Sequence, residues 1–219
     1  GGGAMNLFRL CGDMTHLLSI VVLLLKIHAT KSAAGVSLKT QELYALVFVT
    51  RYLDLFYNFY SLYNSFMKVV FLASAFAIIY YMRFHKVVKL TYDREHDTFR
   101  YLFLVLPCLA LALLINQQFS FTEVLWTFSI YLEAVAILPQ LVLLQRIQNI
   151  DNLSGNYVFL LGSYRAMYLL NWVYRWFTEP GYSAWIVWVS GLIQTAIYCD
   201  FFYYYIKSWK NNEKLKLPS

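Results

Sequence analysis

The chain has 219 residues, 60% of them hydrophobic, 19% aromatic and 14% charged, and it carries a net charge of +6. So little polar surface excludes a soluble globular protein of this length, and the lack of a Gly/Ser-rich or Pro-rich linker excludes two tethered domains. The excess Lys and Arg lie in short clusters beside apolar runs, which excludes a basic face for nucleic acid and leaves membrane lipid as the surroundings.

In chain order, Gly1 to Ala4 read as an artificial extension ahead of Met5. The first apolar run, "LLSIVVLLLK", precedes small residues that mimic a cleavage site. Arg9 balanced by Asp13 is not the basic start of a signal peptide, however, so the run is predicted as the first helix. Apolar windows of about 20 residues predict seven spans, at 8–26, 41–59, 66–84, 100–116, 121–144, 156–177 and 183–206, within one transmembrane domain at 5–206. A polar tail follows at 207–219.

Thirteen of the 18 Lys and Arg residues, Lys26, Lys86 and Arg146 among them, flank the first, third and fifth connections or lie in that tail, as Lys210, Lys214 and Lys216 do. This asymmetry predicts a cytosolic C-terminus and a lumenal N-terminus. The sequon Asn152-Leu153-Ser154 then falls on the cytosolic side and is expected to stay unmodified. Cys11, Cys108 and Cys199 sit in or beside apolar runs at unrelated spacings and read as buried free thiols, with neither a disulfide framework nor a zinc site.

Five basic residues are not explained by topology: Arg9, Arg51, Lys68, Arg165 and Arg175. Lys68, at a span end, is expected to snorkel to the headgroups. The arginines lie in or near spans together with Asp13, Asp54, Glu133 and Asp200, with Glu123 near the lumenal end of the fifth span. A charge at mid-bilayer costs at least about 2.5 kcal/mol, so these groups face one another or a wet cavity. Internal ion pairing is one account; Arg51 and Asp54, three apart, could satisfy each other. Clustering favours the other account. In "YRAMYLLNWVYR", Tyr164, Tyr168, Asn171 and Arg175 share one helical face, with Arg165 and Trp172 along its edge. Guanidinium groups bind carboxylates bidentately and keep their charge, so the pattern predicts a lumen-facing pocket for a guest with several carboxylates.

His16 is either a neutral interface residue or a proton switch between neutral and mildly acidic compartments. Pro139 in "ILPQL" predicts a kink in the fifth span. No catalytic acid pair, metal-ligand cluster or Ser/His constellation stands out, so neither an enzyme nor a cofactor is expected.

The blocks "MNLFRLCGDMTHL" at 5–17, "TRYLDLF" at 50–56, "WTFSIYLEAVAILPQL" at 126–141, "YRAMYLLNWVYR" at 164–175 and "YCDFFYYYI" at 198–206, with the ending "KLKLPS", closely resemble the ER lumen protein retaining receptors, the KDEL/HDEL receptor family. "SLKTQELYAL" and "LVLLQRIQNIDNLSG" are similar to its plant-type members, and the resemblance runs from Met5 to Ser219. It implies an all-α membrane protein of seven transmembrane helices in a PQ-loop, SWEET-like arrangement, two three-helix bundles joined by a linker helix.

The resemblance also implies a guest: the C-terminal Lys/His-Asp-Glu-Leu signal of an escaped ER-resident protein, bound in the mildly acidic Golgi and released in the neutral ER. Arg51 is then expected to take the terminal carboxylate, Arg9 and Arg175 the acidic side chains, and Arg165 to support the same pocket with Tyr168 and Asn171. Asp54, Glu123 and the face of Trp172 are expected to take the signal's cation. His16 matches the family's proposed sensor, Glu133 and Tyr164 a pair that rearranges on binding, and Asp200 a residue linked to transport. Lys210, Lys214 and Lys216 are expected to serve the COPI coat. The main alternative is a small-solute transporter of the SWEET or PQ-loop type, for which four arginines are poorly suited; a seven-helix signalling receptor is a weaker one.

Overall fold

The computed structural model describes residues 6–147, 149–179, 181 and 185–218. The described residues are helical, with no strand among them: α1 (Leu7–Thr30), α2 (Leu38–Arg51), a 3₁₀ turn (Leu53–Phe56), α3 (Leu62–Phe84), the short α4 (Val88–Thr91), α5 (Leu102–Leu114), α6 (Phe121–Val135), α7 (Leu138–Ile147), α8 (Asn152–Thr178) and α9 (Trp185–Lys210). Five of the helices begin where a short polar side chain takes an orphan N–H. Asn6, Ser37, Ser61, Ser120 and Asp151 accept from the backbone three residues on.

Four helical stretches are long and apolar enough to cross a membrane: Leu7–Thr30, Leu62–Phe84, Phe121–Ile147 and Trp185–Lys210. The chain is an all-helical membrane protein. α5 is apolar but shorter, and of its residues only Cys108 and Ala112 are buried, so most of its surface suits lipid. α8 has 27 residues, but Arg165, Asn171 and Arg175 interrupt its apolar run. The cysteines depart from expectation: all three are free, but only Cys108 is buried, whereas Cys11 and Cys199 are exposed on their helices.

The chain forms two compact units, one of Gly1–Lys31 with Leu144–Ser219, the other of Ser32–Leu143. In the first, α8 packs along α1 and against α9. Glycine makes both approaches close. A Cβ on Gly12 of α1 would lie 2.7 Å from the Tyr168 ring, and one on Gly191 of α9 would lie 2.8 Å from Trp172.

In the second unit α2 packs on α3 and α6, and α5 on α6. The span predicted at 41–59 is α-helical only as far as Arg51. Residues 52–60 are Tyr, Leu, Phe, Asp and Asn, several of them weak helix formers. The chain tightens into the 3₁₀ turn there, and the Tyr57 and Asn58 N–H groups both close on the Asp54 carbonyl, at 3.2 and 2.7 Å.

The break between α6 and α7 is the kink expected at Pro139, which has no N–H for the carbonyl of Val135. Its neighbour pair is opened as well. The Thr40 hydroxyl accepts from the Gln140 N–H at 3.0 Å and donates to the Ala136 carbonyl at 2.8 Å, filling the gap in the helical ladder. The Gln140 carboxamide clamps the chain before α2, donating to the Gly35 carbonyl at 2.7 Å and accepting from the Ser37 N–H at 2.9 Å. Ser37 in turn donates to buried Asp97 at 2.8 Å, which also accepts from the Tyr92 hydroxyl. Burial first, then this bond and the Asp97 charge, push the Tyr92 hydroxyl well above the usual tyrosine range.

Candidate functional site

In the first unit the predicted polar face of α8 meets the start of α1. His16 lies flat on Tyr164, ring centroids 4.0 Å apart and planes 6° apart. Tyr168 donates its hydroxyl to Asp13, and Asn6 donates its amide to Asn171. Arg165 is buried. Its Nε donates to the carboxamide oxygen of Gln194 on α9 at 2.8 Å, and its guanidinium lies 5.3 Å from the Trp172 ring centre, 5.4 Å from that of Tyr164 and 5.8 Å from that of Tyr168. Arg175, one turn from the end of α8, pairs with Glu179 at 3.2 Å.

In the second unit, Arg51 closes α2 and reaches α6. It meets Glu133 at 3.0 Å and donates from Nε to the Ser129 hydroxyl and from Nη2 to the Ser129 carbonyl, each at 3.2 Å. The Glu133 side chain is 1% exposed, so its charge is tenable through that partner. Asp54, on the 3₁₀ turn, meets Lys68 of α3 at 3.0 Å, and the ammonium also lies 5.4 Å from the Tyr60 ring centre. Glu123 sits on the first turn of α6, where Ser120 caps its N–H.

Residues 32–175 match the family described as ER lumen protein retaining receptor. An ER lumen protein-retaining receptor of Petunia hybrida is 71% identical over 215 residues, and receptor B of Arabidopsis thaliana is 69% identical, both covering 98% of this chain and 100% of the relative. Receptor 2 of Homo sapiens is 53% identical over 217 residues with the same coverage. The chain belongs to the ER lumen protein retaining receptor family. Membership sets it apart from enzymes and from the small-solute transporters considered as an alternative.

Against this family's frame, several expectations are corrected. Arg51 and Asp54 do not satisfy each other: each takes a partner from another helix. Lys68 does not snorkel; it is buried on Asp54. Lys26, counted among the juxtamembrane cations, is buried in a 2.8 Å pair with Asp151. Arg9 is half-buried near the start of α1, and Asp200 is exposed on α9.

Lys210, Lys214 and Lys216 are exposed, while Leu215 and Leu217 between and beyond them are buried and Lys214 donates to Asn149. A cavity of about 500 Å³ in the first unit is lined by Asp151, Asn152, Asn156, Tyr205, Ser208, Trp209 and four further residues, and by none of the expected ligand-binding side chains. Ser129 and Gln194, which hold Arg51 and Arg165, were not singled out by sequence reasoning. Gln194 had a signal, a lone carboxamide inside the apolar run "SGLIQTAIY".

Proposed function

We propose that this chain captures C-terminal Lys/His-Asp-Glu-Leu signals of lumenal proteins in the Golgi and returns them to the ER, with seven spans, a lumenal N-terminus and a cytosolic tail read by the COPI coat. The reading is carried by family membership across nearly the whole chain, and four arginines with aromatic and acidic neighbours match a guest bearing three carboxylates and one cation. Arg51 receives the terminal carboxylate, in competition with Glu133. Arg9 and Arg175 hold the acidic side chains, and Arg165 with Tyr168 and Asn171 supports them. Asp54, Glu123 and Trp172 take the cation.

His16 supplies the pH response, protonation setting a cation on the Tyr164 ring it already stacks against, and Tyr164 and Glu133 rearrange on binding. Asp200 acts in transport, and Lys210, Lys214 and Lys216 in sorting. One coupled proton changes affinity by no more than about tenfold per pH unit.

A fluorescent HDEL-ended peptide, titrated against the purified chain at acidic and neutral pH, is expected to bind more tightly at acidic pH and to lose binding when its C-terminus is amidated. Equal binding of the amidated peptide removes Arg51 from its role. No binding at either pH overturns the reading.

A further inference from the structure

Gln194 is among the most deeply buried polar residues of the first unit, 1% exposed on α9. The atom 2.8 Å from Arg165 Nε must be its carbonyl oxygen, because a guanidinium only donates and an NH2 turned toward it would set donor against donor. The amide nitrogen, Nε2, then faces the other way. It has no hydrogen-bond acceptor among the described residues, although it is fully shielded from solvent.

Buried donors are nearly always satisfied, and an orphaned one in an otherwise well-packed helix face marks a place where an acceptor belongs. Packing around it is tight. Gly191, one turn earlier on α9, allows Trp172 to lie against the helix, and Trp172 is also beneath the Arg165 guanidinium. A rotamer change of Gln194 would release Arg165 Nε, so the side chain is held by the one bond while its second donor is left to offer.

Building on the receptor reading, we propose that Gln194 is a specificity-determining residue of the anion site: its oxygen fixes the plane of Arg165, and its amide N–H, on the side away from Arg165, donates to a carboxylate of the guest in the pocket that Arg165 supports. Two consequences follow from the chemistry. An isosteric Glu keeps the size but opposes the Arg165 charge and repels the guest. An unbranched apolar Met keeps the volume but removes both functions.

The test has two arms on the full-length chain in detergent. In the first, with isotope-labelled arginine and no peptide, the Nε–H signal of Arg165, identified by its loss in Arg165→Lys, is expected to be protected from solvent exchange in the parent and to lose that protection in Gln194→Met. In the second, the affinity for the HDEL-ended peptide is expected to fall by about tenfold in Gln194→Met with an unchanged pH profile. Gln194→Glu should lose more at neutral pH and recover toward acidic pH, where the new carboxyl protonates and again resembles an amide.

A merely structural role would lower folded yield in both variants without this difference in pH profile. Unchanged Nε–H protection in Gln194→Met, or parent-like affinity of both variants in folded protein, overturns the proposal. A parent chain that binds no peptide at all overturns both the receptor reading and the carboxylate role, while the first arm still decides whether Gln194 positions Arg165.

Discussion

The two units hold Arg51 and Arg165 by different means. Arg51 meets the buried carboxylate of Glu133 at 3.0 Å, and its neighbour Asp54 meets Lys68 at the same distance. Arg165 instead rests on the carboxamide of Gln194 and on the faces of three aromatic rings. A carboxylate cancels a guanidinium's charge, whereas an amide oxygen and ring faces satisfy its N–H groups and flat surface without opposing that charge. An incoming carboxylate therefore competes with the Glu133 carboxylate at Arg51 and with a neutral amide oxygen at the Gln194 contact. The first arrangement suits an exchange of partners, the second a standing attraction.

The most severe way to break this contrast is to remove one member of the charged pair. Arg51→Met leaves Glu133 uncompensated in a site where its side chain is 1% exposed, and a buried charge stripped of its partner costs about 3–5 kcal/mol. Removing a neutral partner in the other unit, as in Gln194→Met, costs nearer 1–2 kcal/mol. Thermal unfolding in detergent is expected to show the larger drop for Arg51→Met. Equal drops would mean that Glu133 is neutral in the folded chain and that the two arginines are held alike.

A second contrast concerns the backbone. The first unit brings helices together over glycines, Gly12 beneath Tyr168 and Gly191 beneath Trp172, while the second repairs a broken helix with a side chain. Thr40→Val keeps the shape of that side chain but deprives the Ala136 carbonyl and the Gln140 N–H of their shared partner. Two buried backbone groups left unmet cost about 2–4 kcal/mol together. Thr40→Ser, which keeps the hydroxyl, should recover most of the loss. Recovery of nothing by Ser would locate the effect in the methyl group and remove the hydroxyl from the kink.

How much of this could be read beforehand depends on the range of the interaction. Local rules act within a few residues, yet apolar windows opened the spans at 41, 66 and 156, inside the true starts of α2, α3 and α8, because the capping side chains Ser37, Ser61 and Asp151 are polar and fall outside the apolar runs. The polar face of α8 was legible, because Tyr164, Tyr168 and Asn171 share a side by periodicity alone. Choice of partner was not. Arg51 stands three residues from Asp54 in sequence, and the nearer acid is the natural guess. α2 stops at Arg51, however, so the i,i+3 geometry behind that guess does not persist, and Glu133 on α6 takes the arginine. Lys68 was misjudged for the same reason: its long side chain turns to an acid that only the tertiary fold brings near. Thr40 gave no signal at all, since inserting a hydroxyl into a distant helix leaves no trace in spacing or hydropathy.

The finest test of the contrast lies at a charged pair of the first unit whose cation is buried, Lys26 with Asp151 at 2.8 Å. Burial is the largest single influence on Asp151 and raises its carboxyl, but hydrogen bonds from Lys26 and Ser154 together with the Lys26 charge outweigh it and hold the group below the usual carboxylate range. A depressed carboxyl contributes stability that is present above its unfolded pKa, about 3.9, and is lost as pH falls through the folded value. The Asp151 side chain is 45% exposed, so solvent screening keeps the contribution below about 1 kcal/mol. Asp151→Asn retains a good helix cap while removing the charge, which isolates this contribution. The parent is therefore expected to lose slightly more stability than Asp151→Asn as pH falls from about 5 to about 3. A loss as large as that of Arg51→Met would place a charge-locked pair of equal weight in both units, and the division between carboxylate-held and amide-held cations would then describe single residues only.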